Sequence, residues 1–299
     1  MNPQAVPILF LIFNRPDLTA KVFARIREAR PRKLFIAADG PRSNRPEDEL
    51  LCAEARAATY HIDWDCEIHR LERDRNLGCK VAVSSAISWF FDEVEEGIIL
   101  EDDCLPDLTF FRFCAEMLDH YRTDPRVGVI GGNYYQKNSA DTSYYFSRYA
   151  QIWGWATWRR LWASYDVELT QWNGNPDSLQ PPIKRHRVRK RFAGRFNAIR
   201  SGGSDTWDHQ LVHLCLITSS LCICPTANLI ENIGFDERAT HTYAESSPLP
   251  ALQTMDFPLV HPQTVTVNEK EDRYTETYVM KVPATLLSKW IHSLKKRLT

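Results

Sequence analysis

The stretch Ile98-Ile99-Leu100-Glu101-Asp102-Asp103-Cys104-Leu105-Pro106 runs three apolar residues straight into three acids and is closed by a proline. An apolar run bounded by a breaker reads as a buried strand. A strand that ends in carboxylates at the edge of an α/β sheet lies where such proteins place their ligands. Hard oxygen donors in that position suit Mg²⁺ or Mn²⁺, usually shared with a diphosphate. The same acids also fit an acidic turn that caps the following helix, since Asp and Glu favour a helix N-terminus. Taken locally, the two readings stand level.

Upstream, the pattern is regular. Residues 7–13 are a continuous apolar run, as in a parallel strand buried on both faces, and Asn14-Arg15-Pro16-Asp17 breaks it. Leu18, Val22, Phe23 and Ile26 follow at helical spacing. A second strand at 33–38 ends in Asp39-Gly40, residues 47–58 read as a helix, 66–71 as a strand and 81–91 as a helix leading into the opening stretch. This is β-α-β-α-β-α-β over the first hundred residues, the signature of an open, mostly parallel sheet. Downstream, a helix is expected at 108–121, strands at 127–132, 144–149 and 221–225, and a helix from about 204 to 216. Residues 232–242 read as a polar loop and 246 onward as an extended wrap. A basic helix at 284–298 ends the chain.

The chain has 299 residues, 43% hydrophobic and 25% charged with a net charge of −1, enough for one large domain or two small ones and without a bias toward nucleic acid. Its eight cysteines form no dense framework. Cys222-Ile223-Cys224 has the wrong spacing for a zinc knuckle, so reduced core thiols and a cytoplasmic location are expected. No secretory signal opens the chain, and no run approaches the length of a membrane span.

Strand ends of a parallel sheet share one edge. There the sequence gathers Arg15, Asp39 and Glu101-Asp102-Asp103. Arg suits phosphate, a lone Asp suits base or ribose hydroxyls, and the acids suit a bridging metal. No Gly-x-Gly-x-x-Gly follows the first strand and no Gly-x-x-x-x-Gly-Lys occurs, which argues against a dinucleotide-binding dehydrogenase and a P-loop enzyme.

With Asn14-Arg15, Asp39-Gly40 and Glu101-Asp102-Asp103 at three strand ends, the chain resembles the nucleotide-sugar glycosyltransferases of the GT-A fold. The triplet corresponds to their Asp-x-Asp motif. Residues 100–111 are most similar to the metal-site region of the N-acetylglucosaminyltransferase I group, and bacterial family 2-like glycosyltransferases are similar too. Asp124-Pro125, Gly154-Trp155 and Trp207-Asp208 extend the resemblance, which covers residues 7–242 in ordered blocks. It implies a GT-A domain over 1–245, with a nucleotide-binding half to about 105 and an acceptor half beyond, then an extension over 246–299. It implies that Arg15 contacts the diphosphate, Asp39 the uracil, Glu101 the donor sugar and Asp102 the ribose, while Asp103 holds Mn²⁺ or Mg²⁺.

Trp207 and Asp208 match the pair that in these enzymes supplies donor contacts and the base. An inverting transfer needs such a carboxylate opposite the departing phosphate. Ser204-Asp205 could instead simply cap the helix, and Asp205 is the second candidate for the base. His209 stands where the resembled enzymes have a further Asp. Trp155 is expected near the sugar, with Gly154 allowing close approach, and Trp153, Trp158 and Trp162 in packing. His241 fits a late metal or diphosphate ligand, or a solvated loop histidine. The implied activity is sugar transfer from a UDP-sugar to a hydroxyl of a glycan or glycolipid in cell-surface polysaccharide or lipopolysaccharide synthesis. The rivals are a sugar nucleotidyltransferase and a non-catalytic sugar-binding relative. The basic run at 184–191 and the basic 289–298 segment fit solvated helix faces, or a peripheral contact with an anionic membrane or lipid-diphosphate acceptor.

Overall fold

The computed structural model describes residues 2–136, 141–235 and 250–283. Its first half follows the expected alternation: β1 (Ile8–Ile12), α1 (Pro16–Ala29), β2 (Lys33–Ala38), α2 (Glu47–Ala57), β3 (Glu67–Glu72), α3 (Gly78–Glu93) and β4 (Glu96–Glu101). The second half adds β5 (Cys104–Pro106), α4 (Leu108–His120), β6 (Val127–Gly131), β7 (Tyr144–Ser147), β8 (Trp155–Trp158), α5 (Arg159–Trp162), α6 (His186–Arg200), α7 (Asp208–Thr218), β9 (Leu221–Pro225), β10 (Ile230–Asn232) and α8 (Glu269–Tyr274).

Eight strands form one sheet in the order β3-β2-β1-β4-β8-β6-β9-β7. Pairing from β3 to β4 is parallel, as is β6 with β9, while β8 and β7 run antiparallel to their neighbours. Six of the eight strands therefore point one way, and the α/β class with a mostly parallel sheet flanked by helices, expected of a GT-A arrangement, is present.

The apolar runs explain the layering. Successive strand side chains point to opposite faces. Ile8, Phe10 and Ile12 of β1 join Val22 and Phe23 of α1 and Phe113 and Met117 of α4 in one core. Leu9 and Leu11 join Phe90 of α3 and Leu211 of α7 in the other. A third, smaller core gathers Trp172, Leu179, Phe192, Phe196 and Ile199 beneath α6.

Several expectations are revised. Pro106 does not close the acidic stretch. Residues after Asp103 form β5, which pairs antiparallel with β10, so part of the expected 232–242 loop begins as a strand. The C-terminal wrap is not wholly extended: it contains α8, continued by a π turn over Thr275–Val279. This segment covers the β7 edge through a Phe146–Val267 bridge and an Asn268 N–H to Phe146 C=O bond of 2.8 Å. The 284–298 helix and His241 lie outside the described residues. Among the described residues no helix is long and apolar enough to cross a membrane, and all eight cysteines are free thiols.

Candidate functional site

The order of the sheet reverses direction between β1 and β4, because β2 and β3 lie on one side of β1 and the later strands lie beyond β4. In open α/β sheets a crevice forms outside the C-terminal ends of the strands at such a switch point. A cleft of about 280 Å³ opens there, floored by Leu11, Phe13, Ala37, Ala82 and Val83. Arg15, Asp39, Arg42, Arg73, Asn76, Glu101, Asp102 and Asp205 supply its polar rim. The structure thus brings Arg15, Asp39 and the acids together as their strand ends predict.

Arg15 sits between two acids. Its Nη2 pairs with Asp102 Oδ1 and lies 3.0 Å from Asp103 Oδ2. Burial pulls the guanidinium down, but the two carboxylates outweigh it and hold its pKa above the usual value. Arg15 is therefore engaged with acids rather than standing open for a diphosphate. Asp102 also accepts the Phe13 N–H at 3.2 Å. Burial raises the Asp102 carboxyl, with Arg15 opposing, to about 6. Burial, then Asp103 and Asp102, pushes the Glu101 carboxyl up to about 8. Among the described residues the three consecutive acids pair with one cation, Arg15, which leaves surplus negative charge.

That surplus is the property a divalent cation offsets, and the donors are hard oxygens, so the acids fit Mg²⁺ or Mn²⁺ chemically. Among the described residues no three His, Cys, Asp or Glu side chains form a metal cage. A cation there would have Asp103 as its protein donor and take its remaining oxygens from a ligand and water.

A glycine with no signal of its own in the local sequence closes the site. Gly234 follows β10, where Ile233 N–H bonds Asp103 C=O at 2.8 Å. A Cβ on Gly234 would lie 2.3 Å from Asp103 Oδ2 and 2.8 Å from Arg15 Nη1. Only a hydrogen fits over the ion pair.

Asp39 is more committed than expected. Its oxygens accept from Gly40 N–H (2.9 Å), Leu77 N–H (3.1 Å) and Asn76 Nδ2 (2.9 Å). Burial outweighs these donors and raises its pKa. It ties the end of β2 to the turn before α3. That turn needs a glycine: Gly78 has φ +77°, and a Cβ there would meet Asp205 Oδ2 at 2.8 Å.

Asp205 reaches across from the other half of the chain. Its two oxygens accept the Cys79 and Lys80 N–H groups, both at 2.9 Å, and so cap α3 rather than α7. Asp208, in the first turn of α7, accepts from the Thr206 hydroxyl and from His209 Nδ1 at 2.8 Å. Burial raises its pKa, but the His209 bond and charge and the Thr206 bond outweigh burial and hold the carboxyl below the usual range. Its charge is felt by Glu101 and by the Cys79 thiol, which burial and these acids push up. Of the two candidate bases, Asp208 is the one whose oxygens are not consumed as a cap of another helix.

The tryptophans pack instead of facing the cleft. Trp155 is fully buried and stacks on Trp207 with centroids 5.6 Å apart, and Trp207 is itself buried. Neither side chain offers a face to a sugar, which corrects their expected donor contact. Gly154, read as room for a ligand, makes room for protein: a Cβ there would lie 2.4 Å from Ile230 of β10.

No family model matches the chain, and no curated protein matches it. Among solved structures it is similar to S. aureus TarS 1-349, at 8% identity and a TM-score of 0.37 over 55% of this chain and 51% of that one. It is similar to HddC from Yersinia pseudotuberculosis, at 10% identity and a TM-score of 0.32 over 54% and 80%. It is also similar to a cytidylyltransferase from Leptospira borgpetersenii, at 9% identity and a TM-score of 0.33 over 66% and 74%. The chain spans about half the length of the TarS structure it matches. Likenesses at these levels carry no argument about activity.

Proposed function

We propose that this protein is a metal-dependent, inverting glycosyltransferase that moves a sugar from a UDP-sugar to a hydroxyl of a glycan or lipid-linked acceptor in cell-surface polysaccharide or lipopolysaccharide synthesis. The observation that carries the proposal is the convergence at the β1/β4 switch point of Arg15, Glu101, Asp102 and Asp103, with Asp208 near enough for its charge to help raise the Glu101 carboxyl. The apolar floor and Asp39 suit a nucleoside, Asp102 the ribose and Glu101 the sugar. Arg15, released from part of its pairing, turns to the diphosphate. Asp103 would hold Mn²⁺ or Mg²⁺, and His241 is proposed as a further ligand. When bound, the cation supplies Lewis-acid stabilisation of the departing diphosphate.

Asp208, ionised at neutral pH, takes the proton of the acceptor hydroxyl as its oxygen bonds to the anomeric carbon and the bond to phosphate breaks. Trp155 and Trp207 contribute by holding the start of α7 against the sheet. The eight free thiols support a cytoplasmic location.

A thermal-shift series of UDP-, GDP- and dTDP-sugars with and without Mn²⁺, followed by an assay for released nucleoside diphosphate, tests the proposal. The expected outcome is Mn²⁺-dependent stabilisation by a UDP-sugar and release of UDP on transfer. Asp208→Asn should abolish transfer and leave the UDP shift intact. Pyrophosphate release from a nucleoside triphosphate and a sugar phosphate would make the protein a nucleotidyltransferase. No metal-dependent shift with any nucleotide would remove both activities.

A further inference from the structure

Three guanidinium groups line the cleft, and they are spent differently. Arg15 is held by Asp102 and Asp103. Arg73 gives Nη1 to Ala82 C=O at 3.3 Å and Nη2 to the Ser85 hydroxyl at 2.7 Å. Arg42 gives Nε and Nη2 to the two oxygens of Asp48, at 2.5 and 2.9 Å, and its Nη1 bonds to none of the described residues.

Asp48 holds that side chain in place. It lies in the first turn of α2 and is fully buried. The Arg42 N–H (3.3 Å) and Asn14 Nδ2 (2.8 Å) complete its donors. The Arg42 bond outweighs burial and keeps the Asp48 carboxyl below its usual range. A two-point grip between a guanidinium and a carboxylate fixes the plane of the cation as well as its position. Arg42 Cζ also lies over the Phe13 ring, 5.3 Å from its centroid, which opposes rotation out of the cleft. The side chain is still 36% exposed, so the fixed cation keeps one donor open.

Arg42 stands at the end of the cleft away from the acids. Phe13 lies between, with its N–H on Asp102 and its ring under Arg42. The charges that act most on Arg42 are those of Asp48 and Glu47, whereas Arg15 answers to Asp102 and Asp103. A nucleoside diphosphate with its phosphates at the acidic end would lay its base over the apolar floor toward Arg42. A fixed donor there needs an acceptor on the far edge of the base. Uracil has the keto oxygen O4 at that position, whereas cytosine has an amino group, which would set donor against donor. We propose that Arg42 selects the base of the donor nucleotide by giving Nη1 to the pyrimidine keto oxygen remote from the ribose, O4 of uracil. Asp48 is its positioning residue. This assignment rests on the UDP-sugar reading and names the side chain that makes the nucleotide UDP.

The test is calorimetric titration of the full chain, with Mn²⁺ present, by UDP, CDP, 4-thio-UDP and inorganic pyrophosphate. The thio analogue keeps the ring N3–H and replaces O4 by a weak sulfur acceptor, so it isolates this contact from others to the base. The parent should bind UDP about tenfold more tightly than CDP or 4-thio-UDP. Arg42→Gln should bind the three nucleotides alike. Arg42→Lys keeps an ion pair for the buried Asp48, and with it the fold, but spends its ammonium there and should lose the discrimination too. Pyrophosphate should bind the parent and both variants equally. Equal affinity of the parent for UDP and 4-thio-UDP would overturn the assignment, as would full discrimination by either variant. Pyrophosphate binding weakened as much as UDP binding would overturn it too, by making Arg42 a phosphate ligand. Binding of UDP with any of these results removes the role of Arg42 alone, whereas no binding of any nucleotide removes the transferase reading with it.

Discussion

Beside the β7 edge, Arg148, Lys184 and Arg185 meet Glu269, Asp272 and Glu276, three cations against three carboxylates. At the β1/β4 switch point Arg15 is the one cation among the described residues that pairs with the acidic triplet, through Asp102 and Asp103, while its charge also reaches Glu101. Both clusters join parts of the chain far apart in sequence, and both contain deeply buried acids. The first is complete: Asp272 also accepts from the Ser147 hydroxyl at 2.6 Å, and Glu276 from the Tyr149 hydroxyl at 2.7 Å. It fastens the C-terminal segment to the sheet. The second is short of positive charge, and a chain that needed only stability would not hold three consecutive carboxylates there. Charge balance separates a fastening from a site that awaits something.

Truncation breaks or upholds this contrast most directly. Arg148→Ala strands the buried Asp272 and should cost about 3–5 kcal/mol in urea unfolding. Asp103→Ala should cost less than about 1 kcal/mol, because a crowded charge is removed, yet erase the Mn²⁺-dependent nucleotide shift. The reverse pattern would make the acidic triplet structural.

Gly234→Ala sharpens the comparison at the site itself. Its methyl group would press on Asp103 and Arg15, a strain of about 1–3 kcal/mol. Nucleotide titration should show binding weakened by about tenfold or more, and unchanged affinity would show that the loop yields without disturbing the acids.

The most gradual effect concerns pH. Burial, against the Ser147 and Arg148 bonds, pushes the Asp272 carboxyl up to about 6 from 3.8. The folded chain then binds this proton more tightly than the unfolded one, so the contribution of Asp272 to stability falls as pH rises from about 4 to about 6. Asn carries no such dependence. The stability advantage of the parent over Asp272→Asn should therefore shrink by about 2 kcal/mol between pH 4 and pH 7 in parallel denaturations. A constant difference would mean that Arg148 compensates burial fully.

What the sequence made legible follows from distance along the chain. Continuous apolar runs and the residues just after them disclosed β1, β2 and β4 and placed Arg15, Asp39 and Glu101-Asp102-Asp103 on one edge. Contacts between remote segments left no such trace. The β5–β10 pairing, Gly234 over Asp103, and Asp205 on α3 join residues whose neighbours in sequence give no hint of each other. Gly154-Trp155 misled because a glycine beside an aromatic satisfies both close packing and close ligand approach, and here Ile230 takes the space. The start of α8 was legible in principle. Asn268 accepts from the Lys270 and Glu271 N–H groups, and Asn followed three residues on by Glu is a capping signal that the prolines nearby obscured.

Asp205 on the N-terminus of α3 has a consequence for how the molecule forms. The strands from β1 to β4 and their helices bring together residues within one hundred positions of each other, whereas Asp205 finds Cys79 across 126. Closing so long a loop is slow relative to local pairing. A nascent chain can therefore hold the parallel half of the sheet, with Arg15 and the acids already in register, while α3 still lacks its cap. The last of these contacts to arrive is the one that carries Asp205 to the rim, so the order of folding keeps the cleft incomplete until the rest of its scaffold is in place.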